Sequence, residues 1–330
     1  MNNKKKYLII DSSYLMYKSY FSLPHLKNNN GQYTGALYGF IKNLMQITQK
    51  LQPDFLIFAQ DTKEKTFRHN ADAQYKANRA PMEEAMLTQI APVNDVQRLI
   101  SENVFACVGY EADDIIYSLV NDNKDKDAIF YIYSADKDLY QLFVFDNVYF
   151  INQDKDYITT FGREDFEKKY LLKPNQWVEY KALVGDTGDN FAGVPGIGAV
   201  GAVNILHHCE NLFTLCKNIG LLSGKYNEVF VPIDYTQTSK ALSFVLSPKN
   251  KKIIEKVTTN EQLLYHSYYL SKLVQFDYFK TNMYKLSTTG LTNGFDWSAV
   301  IETLEKNNMD SLIKYYKTNF ANQQSSEELF

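Results

Sequence analysis

Cysteine is scarce. The 330 residues hold three, Cys107, Cys209 and Cys216, with no C-x-x-C pair. That excludes a disulfide framework and points to a reducing compartment, the cytoplasm. The five histidines (His25, His69, His207, His208, His266) show no metal-ligand spacing. With no G-x-S-x-G elbow either, nucleophilic acyl chemistry has no foothold. No apolar run approaches the roughly 18–20 residues that a bilayer span needs. Lys4-Lys5-Lys6 is followed by only Tyr7-Leu8-Ile9-Ile10 before Asp11, too short for the core of a secretory signal. Positive charge is lacking too: 35 Lys+Arg stand against 38 Asp+Glu, net −3, with four arginines (Arg68, Arg79, Arg98, Arg163). Nucleic-acid binders are usually basic, so this balance is an objection to that class. What is present is ample material for a core, 45% hydrophobic and 15% aromatic residues. That excludes wholesale disorder, and the length allows one large domain or two moderate ones.

The first 170 residues alternate strand-like and helix-like segments. Apolar runs at 7–10, 55–59, 104–108, 128–133 and 148–151 read as buried strands. Between them, 38–51 has helical periodicity (Leu37, Phe40, Ile41, Leu44, Ile47, Leu51), 82–100 reads as helix and 113–120 as a helix start. The alternation predicts an α/β fold with a mostly parallel sheet. From Arg163 onward helices dominate, at 164–170, 174–184 and 201–208, around a Gly/Pro-rich stretch at 193–198. A soft boundary falls near residue 170. The last hundred residues are Lys-, Asn- and Tyr-rich and weakly patterned, 322–328 reads as a frayed polar tail, and there is no internal repeat.

Acidic residues recur where strands end. Asp11 follows the first strand, Asp61 the second, and Asp136 and Asp138 the run at 128–133. Glu111, Asp113 and Asp114 stand at a helix start, and Asp186 and Asp189 lie in Gly185-Asp186-Thr187-Gly188-Asp189-Asn190. In an open parallel sheet, ligands bind outside the carboxyl ends of the strands. Each acid alone would serve as a helix cap or a solvated turn. Together they form a set of like charges that demands counter-charge. Oxygen donors without Cys or His favour Mg²⁺ or Mn²⁺ over zinc. Two such ions can clamp the attacking and leaving oxygens of a phosphate displacement.

Other signals are weaker. Gly196-Ile197-Gly198-Ala199-Val200-Gly201 matches G-x-G-x-x-G, but Pro195 precedes it in a loop between helices, where a dinucleotide fingerprint needs a strand. It reads better as a tight turn whose N–H groups are free to hold a phosphate. Lys63, Lys65, Arg68, Lys76 and Arg79 are interleaved with Phe67, His69 and Tyr75. That pairing suits single-strand binding, basic groups for phosphates and aromatics for bases; the plain alternative is a solvated basic loop. His207 and His208 read as ordinary helix residues, and the many tyrosines as packing.

These segments carry a resemblance. Ile10-Asp11-Ser12-Ser13, Gly35-Ala36-Leu37-Tyr38-Gly39-Phe40, Thr66-Phe67-Arg68-His69 and Tyr75-Lys76-Ala77-Asn78-Arg79 come first. Gly109-Tyr110-Glu111-Ala112-Asp113-Asp114, Asp136-Lys137-Asp138-Leu139, Gly185-Asp186 with Asp189-Asn190, and Gly193-Val194-Pro195-Gly196-Ile197-Gly198 follow. In this order over residues 7–210, with a fainter match at 263–277, the chain resembles the 5′→3′ exonuclease / flap endonuclease family. That family comprises the N-terminal domains of bacterial DNA polymerase I and stand-alone bacterial or phage enzymes.

The resemblance implies a PIN-like (resolvase-like) core at 1–170 with a helical arch at about 62–100. A helix–hairpin–helix (SAM-like) DNA-binding region at 171–285 and a helical extension with a polar tail at 286–330 would follow. It implies a two-metal nuclease cutting DNA from 5′ ends and at 5′ flaps, in replication or repair. Asp11, Asp61, Glu111, Asp113, Asp114, Asp136, Asp138, Asp186 and Asp189 would hold Mg²⁺, with Mn²⁺ able to substitute. Lys76 and Arg79 would contact the scissile phosphate, with Lys18, Arg68 and Tyr75 as further DNA contacts. The turn with Gly193, Gly196 and Gly198 would hold a duplex phosphate, often with K⁺. Expected partners are DNA with flaps, nicks or ends, RNA–DNA primers and a separate DNA polymerase. A monomer is expected, without a membrane and too short to include a polymerase domain. Two departures stand out: Ala135 occupies a usual glycine position, and Val200 a usual lysine position.

Rival readings are a silent DNA-structure-binding protein, against which all nine acids argue, and a PIN-type ribonuclease, which needs neither the arch motif nor the hairpin. A phosphatase of the haloacid-dehalogenase type would want Asp-x-Asp where Asp11-Ser12-Ser13 stands. Setting nine acids aside as metal ligands leaves the remaining chain positively charged, which answers the charge objection.

Overall fold

The buried strand runs assemble as one seven-stranded sheet. In the computed structural model the described residues are 4–124, 127–154, 157–208, 244, 247–276, 283–285 and 297–319. The strands are β1 (Lys5–Asp11), β2 (Phe55–Gln60), β3 (Val104–Cys107), β4 (Ala128–Tyr133), β5 (Val148–Asp154) and β6 (Tyr157–Phe161). Two short strands, β7 (Gly185–Asp186) and β8 (Phe191–Ala192), pair with each other, and β9 (Met283–Lys285) closes the main sheet. The order is β6-β5-β4-β1-β2-β3-β9. β1 to β5 run parallel; β6 and β9 add antiparallel edges. The expected α/β architecture with a mostly parallel sheet is therefore observed.

Side-chain alternation divides β1 between two cores. Leu8 and Ile10 join one apolar cluster, with Leu56, Phe58 and residues of α1 (Ser12–Ser22), α2 (Gly35–Leu51) and α4 (Glu84–Ile100). Tyr7 and Ile9 join the other, with Ile57, Phe105, Ile132 and α5 (Ala112–Asn123). A sheet covered on both faces needs continuous apolar strands, which is the pattern the sequence carries. α2 starts without a side-chain cap at Thr34. Burial of Leu37, Phe40, Ile41, Leu44 and Ile47, roughly 1.5–3 kcal/mol each, outweighs the about 1 kcal/mol of a missing cap.

The second cluster continues beyond β6. It takes in α6 (Arg163–Tyr170), α7 (Trp177–Val184) and α8 (Ala199–His208), then α9 (Lys251–Thr259) and α10 (Glu261–Ser271). Trp297, Leu304, Leu312 and Tyr316, of the stretch 297–319, pack instead with α2 and α4. There Tyr315 donates its hydroxyl to Gln49 at 2.7 Å.

Some local expectations are corrected. Helix α1 was not legible in the pattern, and β6 extends the strand series past 151. The helix α4 lies inside the span expected as arch, yet it buries Met86, Gln89, Val93, Val96 and Ile100 against the core. The rest of that span, 62–83, holds the short helix α3 (Phe67–Ala71) followed by turns. The expected tail at 322–328, Cys209 and Cys216 lie outside the described residues. Among the described residues no helix is long and apolar enough to cross a membrane.

Candidate active site

Parallel register decides where the acids lie. Ile10 is paired with Phe58 on one side and Tyr133 on the other, so β1, β2 and β4 end side by side. Asp11 ends β1 and caps α1, Oδ1 accepting the Tyr14 N–H at 2.9 Å. Asp61 follows β2; it accepts the Ala112 N–H at 2.8 Å, at the start of α5, and the Ser13 hydroxyl at 2.7 Å. After β4, Ser134 donates to Asp11 Oδ2 at 2.7 Å, and Asp136 accepts the Asp138 N–H at 2.8 Å. Asp113 stands in the first turn of α5. These four acids line one cavity of about 740 Å³ together with Glu111, Lys76 and Arg79.

The four have no basic partner at salt-bridge distance among the described residues. Among the described residues, Asp11, Asp61 and Asp136 accept hydrogen bonds only from neutral groups, and Asp113 from none. Burial, then the charge of Asp61, pushes Asp11 up to about 7. Burial, then the charges of Asp136 and Asp11, holds Asp113 well above the usual carboxylate range.

The other five acids are balanced by protein cations. Asp114 is fully buried and takes the Arg68 guanidinium on both oxygens, at 2.7 and 2.8 Å. It also accepts the N–H groups of Glu111 and Val274, at 3.2 and 3.1 Å, so its four lone-pair positions are taken. Glu111 receives Lys76 at 2.8 Å, Arg68 at 3.2 Å and the Tyr75 hydroxyl at 3.0 Å. Asp189 receives Arg79 at 2.9 Å and Tyr75 at 3.0 Å. Burial opposes the charge of Glu111, but Lys76 and Arg68 hold its carboxyl below the usual range. Lys181 on α7 lies 2.7 Å from Asp138 and also pairs with Asp186. Burial would lower the ammonium, yet those two acids keep it above its ordinary value. Asp138 itself is pushed up to about 7 by burial, against the pull of Lys181.

The structure thus gathers Asp11, Asp61, Glu111, Asp113 and Asp136 on one cavity, and leaves Asp114, Asp138, Asp186 and Asp189 off its walls. Three expected DNA contacts point elsewhere. Arg68 is 2% exposed and also donates to the Leu270 and Lys272 carbonyls, at 2.9 Å each. Tyr75 is 3% exposed, its hydroxyl spent on the two acids above. Lys18 turns inward to the Tyr133 hydroxyl (2.9 Å) and the Gln153 carbonyl (3.1 Å). Fold ties have taken the basic and aromatic groups that the pattern suggested were free. Lys76 and Arg79 do face the cavity. Lys76 holds φ +56°, with its N–H on the Asp189 carbonyl at 3.0 Å. Pattern reading missed Lys181, Ser13 and Ser134. The signals were a basic residue five before Asp186 and a serine two before Asp136.

The loop bearing Asp186 and Asp189 depends on Gly185. Its φ is +81°, and a Cβ there would strike the Gly193 N–H across the β7–β8 pair. Only glycine takes that conformation without strain.

Oxygen-only donors with uncompensated negative charge fit a hard divalent cation. Among the described residues no three acidic, His or Cys side chains gather as a finished metal cage. The free carboxylates repel one another, and Lys76, Arg79 and Lys181 draw the rest toward themselves.

One pH effect follows. Asp11 and Asp138 are pushed up to about 7 and Asp113 well above the usual range, so above about pH 4 the folded chain keeps protons that the unfolded chain has released. The stabilising contribution of Asp11 and Asp138 is present at low pH and is lost as pH rises through about 7, and that of Asp113 fades in the same direction. Glu111 and Asp186, held low, act only below about pH 4.5. His69, disfavoured as a cation by burial, opposes the trend, one group against three. Thermal melts in EDTA should therefore show Tm falling from pH 5.5 to 8, and saturating Mg²⁺ should flatten the slope. A metal-free Tm that rises over this range would refute the charge assignment.

Residues 6–171 match the 5′-3′ exonuclease N-terminal resolvase-like domain, and 172–292 the 5′-3′ exonuclease C-terminal SAM fold. The 5′-3′ exonuclease of Mycoplasmopsis pulmonis is 33% identical over 225 residues, 67% of this chain and 74% of that protein. The thermostable DNA polymerase I of Thermus thermophilus is 36% identical over 218 residues, 66% of this chain but 25% of the polymerase. Among solved structures, the bacteriophage T5 flap endonuclease, in a pseudo-enzyme-product complex with DNA and metal ions, superposes with a TM-score of 0.60. It is 19% identical, over 82% of this chain and 89% of that one.

Proposed function

We infer that the chain, which belongs to the 5′-3′ exonuclease family, is a structure-specific 5′ nuclease that hydrolyses DNA phosphodiester bonds at 5′ ends and 5′ flaps. The observation that carries this reading is the row of unpaired carboxylates, Asp11, Asp61, Asp113 and Asp136, sharing a cavity with the cations Lys76 and Arg79. Those four acids, with Glu111, are the residues that would hold Mg²⁺ (Mn²⁺ could substitute). Asp138, Asp186 and Asp189 would join them once Lys181 and Arg79 yield. Bound there, two divalent ions would supply Lewis-acid activation of water and stabilisation of the leaving 3′-oxygen.

The chain's own groups have separate tasks. Lys76 and Arg79 would lie against the scissile phosphate, where positive charge counts most as negative charge develops. The span expected as arch, about 62–100, would guide the 5′ strand past the cavity, which its Lys76 and Arg79 line. The turn with Gly193, Gly196 and Gly198 would hold the duplex phosphate backbone, with K⁺ as a candidate ion there. Substrates are proposed to include flaps, nicks, ends and RNA–DNA primers in replication or repair, acted on by a cytoplasmic monomer working beside a separate polymerase. Supporting this reading, the T5 protein was solved with DNA and metal ions, and the polymerase I relative joins such a region to a polymerase.

The test is cleavage of a 5′-flap oligonucleotide. Cleavage in Mg²⁺ and its loss in excess EDTA are expected; equal cleavage in EDTA would sink the mechanism.

A further inference from the structure

The turn that the proposed reading sets against duplex DNA has no cation of its own. Residues 193–206 contain neither lysine nor arginine, and the first basic candidates, His207 and His208, come in the last turn of α8. Val200, just past the turn, is 86% exposed, and its side chain brings no charge to a phosphate. An ammonium is nevertheless seated there. Lys256 of α9 donates from Nζ to the Gly196 carbonyl at 3.0 Å, reaching the turn from 60 residues further along the chain.

Packing fixes that approach. Ile254 and Val257 of α9 are buried in the same cluster as Val194, Ile197, Ala202 and Ile205 of the turn and α8. Gly196 has φ +74°, and a Cβ at this position would come within 2.6 Å of Lys256 Nζ. Glycine here thus serves the turn and also leaves room for the ammonium. One carbonyl uses one of the three N–H bonds of Lys256, the side chain is exposed, and among the described residues the others have no acceptor, which leaves them able to meet a second one. Lys252, one helical turn earlier, is also exposed. Lys251, on the adjacent row, faces Glu255 at 3.8 Å.

We propose that Lys256 is a phosphate contact for duplex DNA, supplying from α9 the positive charge that the 193–198 turn and Val200 lack. The proposal rests on the reading of this chain as a nuclease whose turn faces the duplex. It makes α9, and not only the turn, part of the duplex grip.

Equilibrium binding of a fluorescent 5′-flap duplex, in Ca²⁺ and over 50–200 mM salt, tests it. Each phosphate contact adds about 0.9 to the slope of log K against log salt. Lys256→Ala should therefore reduce the slope by about 0.9, with single-strand affinity unchanged. Over that salt range the advantage of the parent should shrink by about 3.5-fold. Lys256→Arg should keep the parental slope. Val200→Lys, at an exposed site on the turn, should restore the slope when combined with Lys256→Ala. An unaltered slope in Lys256→Ala, or no recovery in the double variant, would overturn the assignment. If the parent itself bound the flap duplex no better than single strand, the underlying nuclease reading would fail instead, so the two failures are distinct.

Discussion

Asp113→Asn is expected to slow single-turnover cleavage of a 5′-flap duplex by about 10³-fold, roughly 4 kcal/mol on the barrier. The same change should leave the metal-free protein more stable than the parent at pH 8. Both effects come from one arrangement. Asp113 has no hydrogen bond to lose among the described residues, and its neighbours Asp136, Asp11 and Glu111 are also acidic. Without a cation its ionised form is repelled from every side but that of Lys76. Asparagine removes the repulsion, and a gain on the order of 1–2 kcal/mol is reasonable for a relieved buried charge. With a cation bound, the missing charge is a missing ligand. Cleavage rates in Mg²⁺ and thermal melts in EDTA read the two effects separately. Parental cleavage, or a lower Tm in EDTA, would refute the role given to Asp113.

Arg68→Ala is expected to destabilise the fold by about 3–5 kcal/mol, the cost of leaving a buried charge without its partner. Asp114 would keep its carboxylate at 0% exposure with the guanidinium gone, and the Leu270 and Lys272 carbonyls would lose their donor. Because Arg68 joins α3 and α5 to the end of α10, the loss falls on the link between the sheet and the later helices. Replacing both partners, Arg68→Met with Asp114→Leu, should recover much of that loss, since an apolar pair leaves no orphaned charge. Urea unfolding of the three proteins settles the point. A single-variant loss under about 1 kcal/mol would return Arg68 to the set of free DNA contacts.

The division of the nine acids was only half legible in the sequence. Their placement after β1, β2 and β4 could be read, because apolar runs mark parallel strands and parallel strands end on one edge. Which acids are free could not, because that depends on partners distant in sequence. Arg68 meets Asp114 across 46 residues, and Arg79 meets Asp189 across 110. Tyr75 and Arg68 looked like a DNA-binding pair since basic and aromatic residues alternate there; burial sends both inward. Helix α1 escaped notice because its buried residues Ser12, Leu15, Met16, Ser19 and Tyr20 mix polar and apolar types. β6 escaped because Thr159 and Thr160 are exposed and Tyr157 is 81% exposed, leaving little alternation to find.

The acidic balance that opened as an objection also divides. Among the described residues five acids are matched by Arg68, Lys76, Arg79 and Lys181, and four are not. Those four are where a divalent cation is needed. The most direct measurement is anomalous diffraction at the manganese edge from crystals soaked in Mn²⁺. A peak within bonding distance of Asp113 and at least one of Asp11 and Asp136 is expected. Manganese bound only elsewhere, or a cavity without a peak at saturating Mn²⁺, would contradict a metal-dependent nuclease centred on these carboxylates.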